Sequence, residues 1–329
     1  MADKKPDRIS WSIAVPPEVT TEYAGTKMGP YYTNLEVMLR TQTTARQIFK
    51  ERFGIEIGGE RIDVPAYLGV GAFGAEIVYP EDDMPQVRGV LLRRAEDVAR
   101  LKMPVSYYDT PAVKPAWEMY QTMLARGKKL PLGTGIEGPV TSAKLLRGED
   151  FFLDLYDHPR EAHRLLELMT ESYLVFVREN RRRQGLPETS TSAGIADDFA
   201  GLISPEMWPE FVVPYYRRIY EGASSRSHHS ELLRPGHLNH LLDLGVTSFD
   251  PGQDQYLTIK SIREAAPGLR FTWNLFTVRD MKEGTPDSIQ RLYRRSVRDG
   301  ATAIMAELCR GTPEENIRAF IEVAKEFSA

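Results

Sequence analysis

The chain has a single cysteine, Cys309. One thiol excludes an internal disulfide framework and fits a reducing compartment, so a cytoplasmic protein is expected. Nowhere do about 20 apolar residues run together, the length a bilayer span needs. The start, Met1-Ala2-Asp3-Lys4-Lys5-Pro6, lacks an apolar signal-peptide core. Basic excess is also missing: the net charge is −4 and the pI is about 6.0, which leaves no electrostatic footprint for nucleic acid. Neither G-x-G-x-x-G nor G-x-x-x-x-G-K-S/T follows a strand-like run, so the phosphate loops of doubly wound folds are absent.

What is present is apolar: 42% of 329 residues are hydrophobic, enough for a large core. Residues 1–30, rich in Pro, Thr and charge, read as an arm, and Leu35, Met38, Leu39, Ala45, Ile48 and Phe49 follow at helical spacing. Strand-like runs then lie at 64–71, 129–137, 189–197, 225–231, 246–251, 270–276 and 301–308, with amphipathic helices between them. Asp157 before His158-Pro159, Ser204-Pro205, Thr285-Pro286 and Thr312-Pro313-Glu314-Glu315 all look like helix starts, the last as a capping box. This β–α alternation predicts a parallel sheet in an α/β protein. Seven runs, with an eighth expected within 72–110, predict a (β/α)8 TIM barrel over 61–329, behind an N-terminal arm and helical extension over 1–60.

Barrel chemistry gathers at the C-terminal strand ends, where the sequence places Glu137, Asp197, Asp198, His229, Glu231, Asp250, Asn274, Glu307 and Cys309. In a strand over 225–231, His229 and Glu231 point to one side because side chains alternate, and His228 points away. Imidazole, carboxylate and the distant thiol of Cys309 make a candidate zinc set of His229, Glu231 and Cys309. Tyr67, Trp273 and Asn274 are candidate substrate contacts. The adjacent Asp197-Asp198 pair and Glu137 are candidate acids, since neighbouring carboxylates raise one another's pKa.

Several segments, in order, resemble the uroporphyrinogen decarboxylase-like superfamily. They are Gly138-Pro139-Val140-Thr141-Ser142-Ala143 through Gly148, Leu153-Asp154-Leu155-Tyr156-Asp157-His158-Pro159, Leu202-Ile203-Ser204-Pro205 through Pro214-Tyr215, and Thr312-Pro313-Glu314-Glu315-Asn316-Ile317. The resemblance implies the barrel and an enzyme that is either a decarboxylase or a zinc methyltransferase. The N-terminal arginine loop of the decarboxylases does not occur in Arg40–Arg46 or Arg88–Arg94. The methyltransferase branch carries zinc on an H-x-C strand end and a distant cysteine, which correspond here to His229, Glu231 and Cys309, with glutamate in place of one cysteine. A carboxylate makes the set harder and better matched to an oxygen-linked methyl group than to a thiol. The resemblance therefore implies a zinc-dependent methyltransferase that moves a methyl group from a small methoxylated substrate to the cobalt of a corrinoid (cobalamin) carried by a partner protein. The alternatives are a decarboxylase, a methylcobalamin:thiol methyltransferase and a non-catalytic corrinoid- or partner-binding barrel. No nucleic acid or membrane partner is expected.

Overall fold

The computed structural model describes residues 9–328. In chain order its strands are β1 (Ser10–Ala14), β2 (Glu76–Val78), β3 (Gln86–Arg88), β4 (Ser192–Ala196), β5 (Ser225–His229), β6 (Ser248–Asp250), β7 (Arg270–Leu275) and β8 (Ala303–Glu307). Six of them form one sheet in the order β1-β8-β7-β6-β5-β4, all parallel. Two further positions are held by the segments around Ile62 and Leu132, joined by one parallel bridge. At the rim the Gly138 N–H reaches the Ala196 carbonyl at 2.6 Å. These eight positions with their surrounding helices are the α/β layout of a (β/α)8 barrel.

Two strand positions differ from the sequence-based expectation. The extra barrel strand is not in 72–110, where β2 and β3 pair antiparallel in a small sheet of their own. It is Ser10–Ala14, from the stretch read as an arm, paired with β8 from Ser10↔Ala303 to Ala14↔Glu307. The runs at 64–71 and 129–137 also do not propagate as strands. Gly135 has φ 59° and its carbonyl accepts from the Gly69 N–H at 3.0 Å. Such a backbone turn ends a ladder, and Leu68–Gly71 coils into a helical turn.

The helix starts were mostly legible. The helix Pro159–Arg183 begins at the expected proline and buries Leu165, Leu166, Met169 and Phe176, each contributing about 1.5–3 kcal/mol by leaving water. Thr285 caps Pro286–Arg298 through the Ser288 N–H. After Ser204-Pro205, however, the chain only turns, and the helix waits until Trp208, which is fully buried. Thr312 does not cap Glu314–Glu326 either; its hydroxyl turns back to the Cys309 carbonyl at 2.8 Å. No helix among the described residues is long and apolar enough to cross a membrane.

Candidate active site at the barrel rim

Parallel pairing in register brings the strand ends to one level. Ala196 lies beside His229, and His229 beside Asp250. Alternation then sorts the side chains. His228 turns outward, where it is buried between Tyr216 and Phe249, and burial pushes its imidazole down to about 3, so it stays neutral. His229 turns inward to the rim. Its Nε2 lies 3.1 Å from Asp198 Oδ1 and its Nδ1 lies 3.2 Å from Asp250 Oδ2. Neither N–H is aligned on its oxygen, and Nδ1 of His229 and Oδ1 of Asp198 are left without hydrogen bonds. Burial alone would lower the His229 pKa, but the two carboxylates outweigh it and hold it up at about 10.

The carboxylates themselves are braced from outside. Asp250 Oδ1 accepts from the Gly252 N–H at 2.9 Å and from Asn274 Nδ2 at 2.8 Å. Burial opposes its charge, but His229 and these donors keep its pKa below the ordinary value. Glu231 Oε1 accepts from the Gln253 N–H at 2.8 Å. Glu231 is not in the strand, which ends at His229; the backbone bends at Glu231 and Leu232, where φ is 62°. It still meets His229. A Cβ placed on Gly252 would stand 2.6 Å from Glu231 Oε1 and 3.0 Å from His229 Cε1, so both side chains close over that glycine.

Glu137 faces the same group. Its Oε2 is buried without a hydrogen bond. Burial first, then the charges of Asp198 and Asp197, push its pKa up to about 8, so at neutral pH it carries a proton. Tyr67 stands beside it, its phenol pKa raised by burial and by the charges of Glu137 and Asp198. From β8, Glu307 joins the rim. Its pKa is raised by burial and by the charges of Glu18 and Asp250, against the pull of His229.

Two expected site residues, Asp197 and Trp273, stand elsewhere. Asp197 is fully buried, and its oxygens accept from the Val140 N–H at 3.0 Å and the Thr141 N–H at 2.6 Å. It caps the helix Pro139–Arg147 from across the barrel wall. Its pKa rises to about 6 through burial, not through Asp198, which points to His229 instead. Trp273 sits on the helix side of β7, near Ile259 and Leu292, because Asn274 takes the inward position. Cys309 is partly buried with its Sγ 3.7 Å from the Thr312 hydroxyl. Asp197→Ala should lower stability by roughly 2–3 kcal/mol, seen as a lower urea midpoint with KM unchanged. An unchanged midpoint with lost turnover would make Asp197 a catalytic group instead. Gln253, which holds Glu231, carried no motif or strand-end signal in the sequence.

Among the described residues no three His, Cys, Asp or Glu side chains are grouped as a finished metal site. The donor chemistry still fits zinc. Neither ring nitrogen of His229 has an aligned hydrogen-bond partner, and Cys309 has a free thiol. One imidazole nitrogen can hold an ion while the other keeps its carboxylate, the arrangement that orients metal-binding histidines.

A family model described as uroporphyrinogen decarboxylase (URO-D) matches residues 1–327. Two curated relatives named uroporphyrinogen decarboxylase are similar to the chain. The one from Anaeromyxobacter dehalogenans (strain 2CP-C) is 26% identical over 271 residues, 75% of this chain and 72% of the relative. The one from Anaeromyxobacter sp. (strain Fw109-5) is 25% identical over 258 residues, with the same shares of 75% and 72%. Among solved structures, a methyltransferase from Methanosarcina mazei matches with a TM-score of 0.73 at 18% identity, over 98% of this chain and 95% of that one. At that identity the likeness is one of fold.

Proposed function

The chain belongs to the uroporphyrinogen decarboxylase (URO-D) family, and from that premise we propose that it is a methyltransferase, removing a methyl group from oxygen of a small uncharged substrate. One observation carries this reading: the rim is acidic. Asp198, Glu231, Asp250, Glu307 and Glu137 surround the single His229, and among the described residues no lysine or arginine pairs with any of them. Such a rim repels a polycarboxylate, the substrate a tetrapyrrole decarboxylase must grip, and suits a bound cation.

His229, Glu231 and Cys309 would hold zinc. A bound zinc ion supplies Lewis-acid polarisation of an oxygen. The chain's own residues do the rest. Asp250, fixed by Asn274 and the Gly252 N–H, orients His229. Gln253 fixes Glu231 through its backbone. Glu137 holds a proton at neutral pH and delivers it to the departing oxygen as the carbon–oxygen bond breaks. Tyr67 closes the space beside that carboxyl. No side chain at the rim is a nucleophile strong enough for an unactivated methyl ether, so the acceptor is a cobalt(I) corrinoid brought by a partner protein.

Metal analysis with a turnover assay tests the proposal. The purified chain should carry about one zinc, and a small methyl ether, 4-methoxyphenol or 1-O-methylglycerol, should lose its methyl group only when cobalt(I) corrinoid is added. Zinc-free protein that decarboxylates uroporphyrinogen would overturn it in favour of the decarboxylase reading that the two curated relatives support.

A further inference from the structure

Barrel interiors are normally filled by layers of branched apolar side chains. This one is not filled below its rim. At successive inward positions stand Gly194 on β4, Ser227 on β5, Ser248 on β6 and Thr272 on β7, and Thr134 lines the same space. The outward neighbours Ile195, His228, Phe249 and Phe271 are all buried against the helices. The alternation is therefore intact and the inner face is simply small. What it leaves is a cavity of about 430 Å³ whose lining runs up to His229 and Asp250. That volume falls within the roughly 300–1,000 Å³ of small-molecule sites.

The lining is mixed, with Ile136, Ala196 and Phe249 beside an inward set of hydroxyls. Small-molecule pockets are mostly apolar with a few polar groups. Here the hydroxyls of Thr134, Ser227, Ser248 and Thr272 make no hydrogen bond within the described residues, and all four line the cavity. Each offers one donor and two acceptor sites. Gly194 is needed for this surface, since a Cβ there would stand 2.6 Å from Ser227 Oγ. Tyr173 closes the side of the chamber, its hydroxyl donating to the Gly194 carbonyl. Among the described residues no lysine, arginine or glutamate lines it. A flat hydrocarbon ring would leave these hydroxyls dehydrated and unpaired, at a cost of about 1–3 kcal/mol each. A charged ligand would find no counter-ion below the rim.

We propose that this hollow is the substrate chamber, and that it takes a compact, uncharged polyhydroxylated methyl ether, whose hydroxyls pair with the inward serines and threonines while its methoxy group lies at the His229–Asp250 roof. The assignment rests on the methyl-transfer reading for the reaction, but the chamber itself is defined by its lining. The inward hydroxyls make it selective: an ether bearing several hydroxyls replaces every contact the walls lose to water, whereas anisole replaces none.

Equilibrium binding to the purified chain separates the two ideas, because it needs no corrinoid. Titration calorimetry with 3-O-methylglucose and 1-O-methylglycerol as probes should give saturable binding, and anisole should give none. Ser227→Leu, which fills the hollow, should weaken the hydroxylated probes at least tenfold while circular dichroism stays native. Ser248→Val is the second variant, with the same expected loss should Ser227→Leu fold poorly. Equal or tighter binding of anisole, no binding of either hydroxylated probe, or unchanged affinity in folded variants would overturn the chamber. A chain that binds the probes but never demethylates them keeps the chamber and defeats methyl transfer. One that demethylates 4-methoxyphenol yet ignores both hydroxylated probes does the reverse.

Discussion

Replacing Glu137 by glutamine should lower kcat by about 10²–10⁴, the span typical of a lost general acid, and should leave zinc content unchanged. The pH profile gives the sharper signature. The Glu137 pKa is pushed up to about 8 by burial and by the charges of Asp198 and Asp197, so the carboxyl is protonated below that pH and ionised above it. Wild-type turnover should therefore hold through neutral pH and fall as pH rises through about 8. The glutamine variant should lack that limb. Stability should fall with rising pH as well. A carboxyl with a raised folded pKa binds its proton more tightly when folded than when unfolded, so the fold loses stability as pH rises from about 4.5 to about 8, at about 1.4 kcal/mol per unit of difference. Glutamine cannot ionise, so Glu137→Gln should melt higher than wild type at pH 9 while remaining less active. A variant with full activity and an unaltered alkaline limb would remove Glu137 from the chemistry.

His229→Ala should abolish both zinc retention and turnover, with the barrel intact by circular dichroism. Asp250→Asn should act through His229: it keeps the shape but removes the charge 3.2 Å from Nδ1, and should weaken zinc by about 10–100-fold, the usual loss when the group orienting a metal-binding histidine is changed. His228→Ala is the control. His228 is neutral and buried among aromatic rings, so its loss should lower the melting temperature and leave zinc content alone. Full zinc in His229→Ala, or equal zinc loss in His228→Ala, would break the assignment of the inward histidine.

Two neighbouring aspartates mark the limit of reading this site from the chain alone. Asp197 and Asp198 are identical in type and adjacent, and both looked like acids. The turn after β4 sends Asp197 into the wall to cap Pro139–Arg147, while Asp198 reaches His229. The choice depends on where a helix 57 residues earlier in the chain begins, as the Asp197–Val140 contact shows. Trp273 and Asn274 present the same problem: period-two alternation requires that only one face inward, but which one is set by strand pairing. Glu137 was legible as a polar residue at the end of an apolar run, whereas its protonation was not, because that follows from burial beside two other carboxylates.

By itself the sequence determined the β–α alternation, the parallel sheet, the family motifs and the set of polar groups at the strand ends, since these depend on local periodicity and short-range turn chemistry. Only the tertiary structure decided that Ser10–Ala14 is a barrel strand, that Glu231 reaches His229 by a bend over Gly252 and not along a strand, that Cys309 lies against Thr312, and that the barrel is hollow below its rim. Each of these is fixed by contacts between segments far apart in the chain, and a hollow exists only once eight inward faces are set around one axis.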